Sequence, residues 1–288
     1  MNMTFENVTI VGLGLIGGSW GMALKKRGLA ARRIGFGRPS TVARALALDA
    51  VDGGTDDLRK AVDGAQLIIL AAPVGAILDC IPRLKDITSP EALVTDVGST
   101  KRLICERARE AFGVEPLFLG GHPLAGKERS GVENADAGLF TNARYVLTPL
   151  AEGDLEEPRI KAFVSLVSAI GARPYFMDPA RHDRALAFLS HLPQLVSSGL
   201  ASLIAEEDRN SQLPVGLAAT GFRDVTRLAE SPYSVWRDIC RTNLENIQYA
   251  LDALGKKLEF MKHHLGDGEL EREFEQASKL REELKKAG

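Results

Sequence analysis

His122 stands in the run Gly120-Gly121-His122-Pro123-Leu124-Ala125-Gly126-Lys127-Glu128, just after the apolar stretch Leu117 to Gly120, the fifth apolar strand in chain order. An imidazole titrates near neutrality and is suited to general acid or base work. A lone histidine more often serves packing. This one is set apart by its place at the carboxyl end of a parallel strand, where open α/β sheets bind ligands. Ser99, in Asp96-Val97-Gly98-Ser99-Thr100-Lys101, falls at the equivalent end of the preceding strand. Its hydroxyl suits either a helix N-cap or the site, and both roles stay open.

Near the N-terminus, Gly12-Leu13-Gly14-Leu15-Ile16-Gly17 follows the apolar run Val8 to Val11 and opens a helical pattern. Strand, G-x-G-x-x-G and helix together let a backbone approach a pyrophosphate at a helix N-terminus. Gly12, Gly14, Leu15, Ile16 and Gly17 are therefore expected at a dinucleotide. An acidic residue usually closes the next strand and bonds the ribose hydroxyl of NAD. Here that position reads Phe36-Gly37-Arg38-Pro39-Ser40-Thr41, with no carboxylate. Arg38, with Ser40 and Thr41 as hydroxyl donors, suits a 2′-phosphate, so NADP is favoured over NAD.

Short continuous apolar runs alternating with helical patterns up to Phe176 argue for parallel β-α-β units with a sheet buried on both faces. From Asp178-Pro179, an N-cap followed by proline at the first helical position, the pattern becomes helical, with one interruption at Pro193. Most of the 28 glycines lie before residue 178, which confines tight turns to the first part. The expected fold is an α/β Rossmann-type dinucleotide-binding domain, 1–177, followed by an all-α domain for substrate binding and dimerisation, 178–288. The charged end from Glu269 to Lys286 reads as an amphipathic helix.

The 288 residues carry 36 basic and 38 acidic side chains, a balance that points to neither nucleic acid nor an anionic membrane. A small-molecule substrate is the expected partner. Three cysteines without a C-x-x-C pair suggest reduced thiols and no cysteine metal site. With no leader pattern before Val8, a soluble cytoplasmic protein is expected. The adjacent His263 and His264 cannot share a helix face, and no metal site is expected.

Taken together, these segments resemble the prephenate and arogenate dehydrogenases of tyrosine biosynthesis. The resemblance rests on GLGLIGGS from Gly12, Asp96 to Lys101, GHPLAGKERSG from Gly121, His182 to Gln194, and GFRDVTR from Gly221 with Trp236-Arg237-Asp238 behind it. It implies a homodimer formed through the helical domain and an active site in the cleft between domains. It also implies oxidation of a ring C4 hydroxyl by hydride transfer to a nicotinamide, while the C1 carboxylate leaves as CO₂.

By the same resemblance His122 would accept the hydroxyl proton and Ser99 would bond the same hydroxyl or His122. Arg227 would hold the ring carboxylate beside Arg223, with Asp183 neutralising and placing Arg227. His191 and Gln194 would lie near the substrate side chain, and Lys127 and Glu128 in a loop closing over the site. Prephenate-preferring relatives carry H-x-x-H where this chain has His191-Leu192-Pro193-Gln194, so arogenate is expected to be accepted and preferred. A regulatory domain after the helices is not expected, since only helix follows Glu269. The rival expectations are a β-hydroxyacid or imine-type dehydrogenase of the same plan, and a non-catalytic NADP-binding sensor.

Overall fold

The protein is described from a computed structural model at residues 5–115, 117–127 and 129–287. Its strands are β1 Phe5–Val11, β2 Ala30–Phe36, β3 Gly53–Thr55, β4 Leu67–Leu70, β5 Leu93–Asp96, β6 Leu117–Pro123, β7 Arg144–Thr148 and β8 Arg173–Phe176. They form one sheet in the order β3-β2-β1-β4-β5-β6-β7-β8. The continuous apolar run of β4 has the two-face burial expected of a central strand. Leu67 and Ile69 enter the core on one side of the sheet, and Ile68 and Leu70 the core on the other.

The helices of this half are α1 Leu15–Lys26, α2 Pro39–Ala47, α3 Leu58–Val62, α4 Val74–Leu84, α5 Arg102–Phe112 and α6 Pro158–Ala169. On one face Trp20 of α1 packs against Phe140, Tyr145 and Phe163, with ring centroids 5.5, 5.9 and 5.9 Å away. On the other, α4 and α5 bury Ile77, Ile81, Ile104 and Phe112.

Three features depart from the sequence expectation. β3 is a three-residue strand containing two glycines and no apolar pattern, so the strand bearing His122 is the sixth rather than the fifth. His122 also lies within that strand, not after it. Parallel pairing holds only as far as β6; β7 runs antiparallel to β6, and β8 runs parallel to β7. The described part of the β6–β7 connection carries only the three-residue turn Val132–Asn134, too little for the crossover a parallel return requires.

The helical half consists of α7 Pro179–Leu186, a π-helical turn Ala187–His191, α8 Leu192–Ser211, α9 Thr220–Thr226, α10 Tyr233–Thr242, α11 Leu244–His263 and α12 Gly268–Ala287. Asp178 caps α7 as expected, accepting the N–H groups of Ala180 and Arg181 at 2.9 and 3.0 Å. Pro193 does not break the rod. The wider π turn precedes it, at the place where a proline removes one hydrogen bond and crowds the carbonyl four residues back.

The span Pro179–Ser211 is long and apolar enough, by length and composition, to cross a membrane, with only 22% of its apolar window buried. Its polar residues His182, Asp183, His191 and Gln194 are nevertheless buried against neighbouring elements. The buried apolar cluster of this half is small, namely Ala187, Ile239, Ile247 and Ala250.

Candidate active site

The turn after β1 is shaped by Gly12, whose φ of +98° places a hypothetical Cβ 2.4 Å from the Ala71 carbonyl oxygen. Only glycine fits between the two strands there. Helix α1 then begins after Gly14 with no side-chain cap on its first N–H groups, and open space lies where a Gly14 side chain would project. Free N–H donors at a helix N-terminus beside an unobstructed backbone fit a pyrophosphate.

The groove in front of this turn has a volume of about 720 Å³, and its walls include Gly12, Gly14, Arg38, Thr41 and Arg44. Ser40 is exposed and absent from those walls, as are Leu15, Ile16 and Gly17, which form the first turn of α1. The expectation of no carboxylate near Arg38 holds along the chain but not in space. Asp56 and Glu133 reach the groove from other segments, and Glu133 Oε1 accepts from Arg44 Nη1 at 2.9 Å.

The carboxyl ends of β4, β5 and β6 lie on the same edge of the sheet as the end of β1. There a buried ion pair fixes the approach to His122. Asp96 and Lys101 are both fully buried and paired through Oδ2 and Nζ. Lys101 Nζ donates to the Gly121 carbonyl at 2.7 Å, and Gly121 N donates to Asp96 Oδ1 at 3.0 Å. A Cβ on Gly121 would lie 2.6 Å from the Asp96 carbonyl oxygen, so this glycine permits close contact rather than loop freedom. Gly98 N also donates to Asp96, at 2.8 Å, which holds the segment carrying the half-buried Ser99.

Ser99 does not cap α5. Instead Asp183, from α7, accepts Lys101 N at 2.7 Å and Arg102 N at 3.0 Å. These bonds engage the Asp183 carboxylate at the N-terminus of α5, where a carboxylate is favoured by the unpaired N–H groups. His122 takes its partner from α7 as well. Its Nδ1 lies 2.9 Å from His182 Nε2, and His182 Nδ1 lies 2.8 Å from Asp183 Oδ1. Among the described residues, no hydrogen bond joins His122 to Ser99. Burial, and then the His182 ring and the Lys101 ammonium, hold the His122 imidazole well below its usual range. It is therefore neutral at pH 7, as a proton acceptor must be.

His191 is buried beside Asn243 Nδ2, 3.2 Å from its Nδ1, and meets Trp236 edge to face. Burial pushes its imidazole down to about 4. Gln194 donates from Nε2 to the Leu228 carbonyl at 2.7 Å and to Ser198 Oγ at 3.2 Å. Gln194 Nε2 is thus committed to the turn Arg227–Glu230. Arg227 opens that turn and Arg223 lies exposed on α9 one turn earlier. Lys127 Nζ donates to the Asn134 carbonyl at 3.1 Å and pairs with Asp136 at 3.5 Å. Glu128 lies outside the described residues.

Residues that spacing alone did not single out are therefore prominent. His182 joins His122 to Asp183, and Asp96 and Lys101 clamp Gly121. The only local signs were the adjacency of His182 to Asp183 and an acid and a lysine five residues apart.

Known proteins match both halves of the chain. Residues 20–176 match the family profile described as "Prephenate dehydrogenase, nucleotide-binding domain" and residues 178–285 the one described as "Prephenate dehydrogenase, dimerization domain". The chain is 33% identical over 276 residues to prephenate dehydrogenase of Bacillus subtilis, covering 95% of this chain and 74% of that protein. Prephenate dehydrogenase from A. aeolicus, solved with hydroxyphenyl propionate and NAD+, is 30% identical with a TM-score of 0.90, covering 99% of this chain and 100% of that one. Arogenate dehydrogenase from Synechocystis is 33% identical with a TM-score of 0.81, covering 96% and 99%. With both halves matched and the glycine turn and His122 strand placed on one edge of the sheet, this chain belongs to the prephenate dehydrogenase family.

Proposed function

We propose that the protein oxidises prephenate or arogenate with loss of the ring carboxylate, and that His122 is the proton acceptor. The carrying observation is a neutral His122 at the carboxyl edge of the sheet, whose Nδ1 is engaged by His182. In the balanced reaction the C4 hydrogen leaves as hydride and the hydroxyl proton passes to His122. The C1–carboxylate electron pair enters the ring as CO₂ departs, the phenolate oxygen so formed takes the proton back from His122, and aromatisation drives the step. A nicotinamide dinucleotide, when bound, supplies the hydride acceptor.

Gly12, Gly14 and the N–H groups opening α1 would receive its pyrophosphate. Arg38 and Thr41 would meet the adenosine ribose, and Arg38 favours NADP through its attraction to a 2′-phosphate. Asp56 and Glu133 moderate that preference, because their charge in the same groove opposes a second anion. Ser99 is assigned to the substrate hydroxyl, and Arg227, with Arg223 nearby, to the ring carboxylate. A guanidinium suits this task, since a bidentate grip fixes the ring plane. Lys127 is assigned to the loop over the site.

Arogenate is the preferred substrate in this reading. Gln194 Nε2 is spent on Leu228, so its carbonyl oxygen is the group left to accept from an ammonium, whereas a histidinium would repel it. A homodimer through the helical half is proposed as well: Leu203, Leu258, Leu265, Phe274 and Leu280 are more than half exposed, and such apolar surface suits a partner subunit. The three free thiols Cys80, Cys105 and Cys240 suit a cytoplasmic protein.

Assaying the purified protein with prephenate and arogenate, each with NAD and NADP, tests these assignments. Turnover of arogenate with NADP at the highest kcat/KM is expected; rapid prephenate turnover with no arogenate turnover would overturn the preference, and no turnover with either the activity. Light scattering giving a monomer mass at all concentrations would overturn the dimer.

A further inference from the structure

His182 and Asp183 form a hydrogen-bonded series that ends on the candidate base. Asp183 already accepts two backbone N–H groups, and what it offers His182 Nδ1 at 2.8 Å is an acceptor oxygen. His182 Nδ1 therefore carries the proton. A neutral imidazole has one donor and one acceptor nitrogen, so His182 Nε2 is the acceptor. It faces His122 Nδ1 at 2.9 Å, which must then donate. The remaining nitrogen of His122, Nε2, is left with its lone pair.

We propose that His182 and Asp183 are positioning residues that hold His122 in the tautomer with Nδ1 protonated and Nε2 free to take the substrate proton. The proposal rests on His122 as base and adds what prepares it. An imidazole without a partner at Nδ1 exchanges between tautomers, and in one of them Nε2 bears a hydrogen and cannot accept. Asp183 has a second effect. Because its carboxylate also caps α5, the orientation of His182 is tied to the segment from Asp96 to Lys101 that clamps Gly121. The His122 backbone and the His122 ring are thus held from two directions by one connected set of bonds. After proton transfer the positive charge on His122 is shared through His182 with Asp183, while the proton itself stays at Nε2.

The test compares His182→Asn with His182→Gln in the full-length protein. Asparagine reaches Asp183 but is too short for His122, whereas the glutamine amide can donate to Asp183 and accept from His122. Histidine ¹⁵N–¹H correlation spectra, with the His122 signals assigned by their loss in His122→Asn, read the tautomer directly without turnover. Wild-type protein and His182→Gln are expected to show protonated Nδ1 and bare Nε2 on His122, and His182→Asn a mixture. In steady state His182→Asn should lose roughly 10- to 10³-fold in kcat with little change in KM, and His182→Gln should recover most of that loss.

A wild-type His122 protonated at Nε2, or a His182→Asn enzyme with unchanged kcat and tautomer, would overturn the proposal. Should His182→Asn fail to fold, the wild-type and His182→Gln spectra still decide it. Normal turnover by His122→Asn would overturn the base assignment instead, and the spectra would remain an independent measure of the tautomer.

Discussion

Asp238 of α10 extends its carboxylate to the backbone N–H of Gly75, 3.0 Å away in the first turn of α4. This bond crosses from the helical half to the nucleotide-binding half, beside the groove wall formed by Ala72, Pro73 and Ala76. A side chain on Gly75 would put its Cβ 2.9 Å from Asp238 Oδ2, so the glycine admits the carboxylate. With Asp183 at α5, two helices of the sheet domain receive their N-terminal acceptors from the other half. Asp238→Ala should therefore destabilise the protein by about 1–2 kcal/mol in urea unfolding. An unchanged midpoint would show that the bond contributes nothing.

Acid should weaken the protein through His191. Above about pH 6.5 this residue is neutral in folded and unfolded chains alike. Between about 6.5 and its folded value of about 4 the unfolded chain binds a proton that the native one does not. Stability is thus full above pH 6.5 and falls as the pH drops, by about 3 kcal/mol from this residue alone. Urea unfolding of wild type and His191→Asn at pH 7 and pH 4.5 should show a smaller acid loss in the variant; equal losses would contradict the buried neutral assignment.

Arg38→Ala should raise KM for NADP while leaving that for NAD nearly unchanged. Glu133→Gln should act oppositely, improving NADP by removing a negative charge from the groove. Equal effects of Arg38→Ala on both cofactors, measured by initial rates at fixed substrate, would remove Arg38 from the 2′-phosphate role.

Gln194→Leu leaves the Leu228 carbonyl without its donor and loosens the turn that begins at Arg227. The expected result is a rise of roughly 5- to 10-fold in KM for the cyclohexadienyl substrate, equivalent to about 1 kcal/mol, with kcat less affected. An unchanged KM would mean that this bond does not help place Arg227.

Much of the fold was legible because its signals are local. The runs at Val8, Leu67 and Leu93 are apolar over consecutive residues, and Asp178-Pro179 is a cap in adjacent positions. β3 was not legible, since Gly53-Gly54-Thr55 has no apolar pattern and is a strand only because β2 lies beside it. The reversal at β7 depended on the absence of a crossover helix, which apolar periodicity does not report. In the site, the glycine turn and His122 carry sequence context of their own. The meeting of His122 with His182, 60 residues apart, does not. Neither does the meeting of Asp183 with the N-terminus of α5, because a carboxylate beside a histidine can serve any nearby donor.

The most direct test of the account is single-turnover and steady-state oxidation of arogenate by wild type and His122→Asn at pH 7, following reduced nicotinamide and released CO₂ together. The account predicts equal amounts of both products from the wild-type enzyme. It also predicts a fall of roughly 10²- to 10⁴-fold in rate for His122→Asn, with cofactor affinity and unfolding midpoint retained. A His122→Asn enzyme that reduces nicotinamide and releases CO₂ at the wild-type rate would contradict it.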